Sequence, residues 1–144
     1  MHARLIPMMA LSLALGTAAI AGEEAKDPDV KARIALMQDL KAHSKLLSET
    51  ASGKIAYDAE KIEAVIEALR RDADQVGPAF KAPADDPVSE ALPIIWQERS
   101  EFRLKVNRLL KAANELKGGS AKDIADTLNP VQAACKDCHG RFKM

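Results

Sequence analysis

Aromatic side chains are scarce in this sequence. Tyr57, Phe80, Trp96, Phe102 and Phe142 are the whole set, 3% of 144 residues. Such residues usually supply the largest blocks of buried area in a core. A core without them rests on Leu, Ile, Val and Ala, or takes in a large apolar group that is not polypeptide. An excess of one charge is also missing, since 21 Lys and Arg balance 21 Asp and Glu. A balanced chain has no basic surplus to set against a phosphate backbone, so nucleic acid is not an expected partner. Long hydrophobic runs are lacking too. The apolar stretch at residues 8–15, broken by Ser12, is shorter than the roughly 20 residues of a membrane span, and no later segment is long or apolar enough to be one.

That short run has another use. Arg4 precedes it and Ala19-Ile20-Ala21 follows it, which gives the positive, apolar and A-x-A regions of a secretory signal peptide. Residues 1–21 are expected to be cleaved, so that 21 taken from 144 leaves a single exported domain of 123 residues, 22–144.

The rest of the chain carries helical periodicity and no strand alternation. Asp27-Pro28 reads as an N-cap followed by proline at the first helical position. Val30, Ile34, Met37, Leu40, Ser44 and Leu47 then form a stripe over about residues 28–48. Asp58 caps a second segment with Ile62, Val65, Ile66 and Leu69 inward and Arg70 and Arg71 solvated, stopping at Gly77-Pro78. A proline-containing loop follows. Pro93 opens a third segment with Ile95, Phe102, Val106, Leu109, Ala113 and Leu116 inward, and Gly118-Gly119 ends it. Ser120 and Asp123 match a capping box and start a fourth, whose stripe is Ile124, Leu128, Val131, Cys135, Cys138 and Phe142. Pro130 inside that stripe is expected to kink or divide the helix. The prediction is an all-α, antiparallel four-helix bundle.

Cys135 and Cys138 are the only cysteines, and His139 completes Cys135-Lys136-Asp137-Cys138-His139. C-x-x-C-H is the attachment pattern of c-type haem. Positions i, i+3 and i+4 of a helix share a face, so both thiols can add to the two vinyl groups of a porphyrin while the imidazole reaches iron from the same side. Other readings compete. A Cys135–Cys138 disulfide would close too small a loop to stabilise a domain much. Thioredoxin-like chemistry expects a neighbouring βαβ unit, and a structural zinc site wants four ligands. A haem-free metal-delivery module would recruit His43, the one further soft ligand outside the signal segment.

With a signal segment, a helical bundle and a C-terminal C-x-x-C-H, the chain resembles the class II c-type cytochromes: the cytochrome c′ group and its low-spin relatives. Arg33-Ile34-Ala35-Leu36-Met37, Pro93-Ile94-Ile95-Trp96 with Phe102, and Lys143 four residues after His139 extend the likeness across the mature chain. The resemblance implies one covalent haem c per chain, held by Cys135 and Cys138 with His139 as proximal iron ligand. It places Met37 on the distal side and Arg33 near a haem propionate. It also implies a periplasmic protein that passes single electrons between soluble or membrane-bound redox partners and is not an enzyme. Family members often dimerise through their first two helices, so the resemblance leaves both monomer and homodimer open, and the sequence shows no apolar patch assignable to a dimer rather than to the core.

Coordination at Met37 decides between two activities. Ligated, it gives low-spin Met/His iron suited to electron transfer. Unligated, it leaves a five-coordinate cytochrome c′ that binds NO or CO. Once residues 1–21 are gone the methionines are Met37 and Met144, and Met144 lies only five residues past His139. His43 is six residues from Met37, roughly 240° around the helix, and points elsewhere. Two departures from the family pattern are Pro130 and the apolar Ile34 after Arg33.

Overall fold

The computed structural model describes residues 24–144, so the expected signal segment lies outside the described residues. Five helices follow one another: α1 (Pro28–Ala51), α2 (Ala59–Ala79), the single turn α3 (Ile94–Gln97), α4 (Arg99–Glu115) and α5 (Ala121–Phe142). The four long ones form the expected antiparallel bundle, in which α1 and α4 each pack against both α2 and α5. Among the described residues the only β pairing is one antiparallel bridge, Ala91 with Lys143.

Three helix starts follow the sequence signals. Asp27 accepts hydrogen bonds from the amides of Asp29 at 2.8 Å and Val30 at 3.0 Å. Asp58 accepts from the Lys61 amide at 3.1 Å. Ser120 accepts from the Asp123 amide at 3.1 Å and donates its hydroxyl to the Asp123 carboxylate at 2.9 Å. Each carboxylate or hydroxyl satisfies amide donors that a first helical turn leaves without intrahelical partners.

Four expectations need correction. The third segment is two helices, because Glu98 (φ −108°, ψ 51°) breaks the path between α3 and α4. The stripe is blind to that break, since Ile95 and Phe102 are both buried across it. The turn is tied down from outside: the Trp96 indole donates to the Phe80 carbonyl at 3.0 Å, and Arg141 grips the Glu98 carboxylate at 2.6 and 3.1 Å. Of the two outcomes expected at Pro130, division does not occur: α5 runs unbroken from Ala121 to Phe142 with Pro130 on its exposed side. Gly77-Pro78 is spanned by α2, which ends at Ala79. Arg70 is not solvated but half-buried, donating to the carbonyls of Ala113 (3.2 Å) and Leu116 (3.0 Å) at the end of α4.

The core is mostly aliphatic, as the composition requires. Leu47, Ile62, Leu69, Ile124 and Val131 are among its most deeply buried members, each side chain contributing about 1.5–3 kcal/mol. The three phenylalanines gather at one end, Phe80 to Phe102 and Phe102 to Phe142, each pair with ring centroids 5.4 Å apart. That end also holds the C-terminal turns of α5.

Candidate functional site

Cys135, Cys138 and His139 occupy the last two turns of α5, between the buried anchors Ala134 and Phe142. The unbroken helix keeps the i, i+3, i+4 register that the motif requires. Both cysteines are free thiols, half-buried and packed against the hydrophobic core. Burial pushes both thiols up, Cys138 to about 11. They are therefore neutral S–H groups rather than the low-pKa thiolates of a dithiol redox centre. The His139 imidazole is held below its ordinary value, first by partial burial and then by Lys143. Its neutral form is the one that can ligate a metal.

The flanks of the motif are fixed in place. Asp137, inside the C-x-x-C spacing, receives Lys105 Nζ at 2.8 Å and Arg108 Nη1 at 3.0 Å, both from α4. These partners, Lys105 foremost, hold its carboxyl below the usual carboxylate range, and Asp137 in turn raises Lys105. Beyond His139, the Leu92 amide donates to the Phe142 carbonyl and the Met144 amide to the Glu90 carbonyl, both at 2.9 Å. Lys143 pairs with Glu90 at 2.8 Å. The tail is thereby strapped to the loop before α3.

On α1, Arg33 is 4% exposed. Its Nε donates to the Ala79 carbonyl at 2.8 Å and its Nη2 to the Ala82 carbonyl at 2.5 Å. The guanidinium carbon lies 5.0 Å from the centroid of Phe80 and 5.3 Å from that of Trp96. Nη1 is buried and has no partner. Met37, one turn further along α1, is half-buried and packs against the same core as both cysteines. The structure thus joins Arg33 to Trp96 and the loop after α2, and sets Met37, Cys135 and Cys138 around one apolar body. A cleft of about 530 Å³ opens beside Trp96, bounded by Pro83, Asp86, Leu92 and Met144.

His43 does not join the cysteines. Its Nε2 is 3.1 Å from the Asp72 carboxylate on α2, and no cluster of three or more metal-binding side chains occurs among the described residues. A site built from Cys135, Cys138 and His43 is therefore not assembled. Sequence reasoning missed Lys105 and Asp86. Lys105 is buried on the heptad row of Phe102, Leu109 and Ala112, so a lysine in an apolar stripe was the available signal. Asp86 had none, being one of several polar residues in a loop. Its buried carboxylate accepts from the amides of Lys26 (2.7 Å), Asp27 (2.9 Å) and Val88 (3.1 Å), pinning the start of α1 to the loop.

An antiparallel four-helix bundle whose last helix ends in C-x-x-C-H has the architecture of a helical c-type cytochrome. Comparison with known proteins agrees. The cytochrome c′ family model matches residues 29–143, and the chain belongs to that family, whose cofactor is covalently bound haem c with its iron. Cytochrome c-554 from Cereibacter sphaeroides is 26% identical, over 97% of both chains. Cytochrome c-556 from Agrobacterium tumefaciens is 28% identical, over 78% of this chain and 92% of that one. Among solved structures, cytochrome c′ from Rhodobacter sphaeroides superposes with a TM-score of 0.73 at 25% identity, covering 81% of this chain and 95% of the other. A nitric-oxide complex of a cytochrome c prime variant from Alcaligenes xylosoxidans gives 0.72 at 24% identity, covering 80% and 93%.

The residues present fit a haem. Two neutral thiols and an imidazole whose proton affinity is lowered share one helical face. The buried, unpartnered Nη1 of Arg33 supplies a donor for an anionic edge group.

Proposed function

We propose that this protein is an exported, periplasmic monohaem cytochrome that carries single electrons. Bound haem supplies a one-electron iron couple; the chain supplies attachment, ligands and charge. Cys135 and Cys138 would hold the haem through thioether bonds to its two vinyl groups. His139 and Met37 would ligate its iron, a pairing that raises the reduction potential. Arg33 offers Nη1 to a propionate, with its other donors already engaged by backbone carbonyls. Residues 1–21 serve as the signal peptide, and the partners are soluble or membrane-bound redox proteins. No helix among the described residues is long and apolar enough to cross a membrane. The protein is a carrier rather than an enzyme.

The observation that carries this reading is the pair of half-buried, uncharged thiols of C-x-x-C-H, packed against the same core as Met37 and on one helical face with His139. A second reading, a five-coordinate site that binds NO or CO, draws on the nitric-oxide complexes among the similar structures. Optical spectra of the oxidised and reduced protein separate the two. Met37 ligation predicts low-spin bands and slow CO uptake, and Met37→Ala should convert the spectrum to high-spin. High-spin bands and immediate CO binding in the unaltered protein would sink Met37 ligation and establish the second reading.

A further inference from the structure

The two residues between the cysteines of C-x-x-C-H have no role in thioether formation, and here the second of them, Asp137, is tied across the bundle to Lys105. The pair is lopsided. The Lys105 side chain is 9% exposed and that of Asp137 43%. Two more charges complete the cluster. Glu101 lies 3.6 Å from Lys105 Nζ and is 44% exposed, while Arg108 meets the other Asp137 oxygen and is 56% exposed. Lys105 is thus the least exposed of the four side chains, and the other three face water. Lys143, beyond the motif, is balanced by Glu90. Because a charge is screened in proportion to the dielectric around it, the charge on this least exposed side chain acts on the bundle interior more strongly than its more solvated counter-ions do. A net positive field favours the reduced iron, which carries one positive charge fewer.

We propose that Lys105, oriented by Asp137, is a potential-setting residue that biases the haem-bearing end of α5 towards the reduced state; this rests on the haem reading above. The test is a spectroelectrochemical titration of the holoprotein and three variants. Lys105→Met keeps the aliphatic volume and removes the charge, while Asp137 keeps Arg108 as its partner. It should lower the midpoint, raising the oxidised-to-reduced ratio at the original midpoint by about threefold or more, where tenfold is 59 mV for one electron. Asp137→Asn should move the midpoint the other way, and Lys105→Arg should leave it near the original. An unmoved midpoint in Lys105→Met overturns the proposal. So do shifts of the same sign in Lys105→Met and Asp137→Asn, which is the pattern that loosened packing would give. Haem-stained variants with unmoved potentials sink this inference alone, whereas a chain that never stains for haem sinks the haem reading with it.

Discussion

The guanidinium of Arg33 sits in a place where a charge is costly, between two aromatic rings and beneath a loop. Two backbone carbonyls and the ring faces compensate most of it, and a planar fork can serve both carbonyls where a lysine could not. The unserved Nη1 leaves a deficit on the order of 1–3 kcal/mol, which an anionic partner would remove. Asp86 shows the opposite balance, an acceptor with three amide donors. The amides of Asp27 and Val88, and behind them that of Lys26, hold its carboxyl below the ordinary carboxylate range. A depressed folded-state pKa gives stability that is present above the unfolded value of about 3.9 and lost as pH falls through the folded one. Asp86→Asn should therefore lower stability at neutral pH and flatten the decline below about pH 4. Urea midpoints measured across that range check it, and an acid limb as steep as the original would refute it.

The connections between helices are as specific as the helices. Gly53, at φ +76° after α1, takes a left-handed conformation that other residues adopt only with strain. Gly118, between α4 and α5, is required for a different reason. A Cβ there would lie 2.5 Å from Ile66 Cδ1 and 2.9 Å from Ile62 Cγ2. The Ile66 methyl can swing aside, but the branched Ile62 methyl is fixed to a stiff χ1. Gly118→Ala should cost about 1–3 kcal/mol by overpacking, read as a lower urea midpoint with an unchanged slope. An unaltered midpoint would show that α2 yields freely. At this scale the sequence was legible wherever a signal is local: Asp27, Asp58 and Ser120 cap the helices they were expected to cap. It was illegible where tertiary contacts decide. The break at Glu98 depends on Arg141, 43 positions away, and the burial of Arg33 and Lys105 depends on loop carbonyls and on α5. Cys135, Cys138 and His139 fall on one face of α5, as their spacing alone predicts.

For the molecule as a whole, the scarcity of aromatics raised the question of what fills the interior. The polypeptide answers for most of it. Aliphatic residues from α1, α2, α4 and α5 form one continuous cluster, and the three phenylalanines close it at the end where Cys135 and Cys138 lie. A bundle with that much core of its own does not depend on the haem for its helices, although the cofactor stabilises whatever state binds it. The double variant Cys135→Ala and Cys138→Ala, which cannot hold haem covalently, should accordingly keep its helical far-ultraviolet circular dichroism. Its melting midpoint should fall by about 10 °C or more, since a few kcal/mol corresponds to shifts of that size in a domain this small. Hydrogen exchange should quicken most in the last turns of α5, where the missing cofactor would have covered the half-buried cysteine positions. A random-coil spectrum would mean that the porphyrin is the core's keystone. An unchanged midpoint would mean that the haem contributes nothing to the fold.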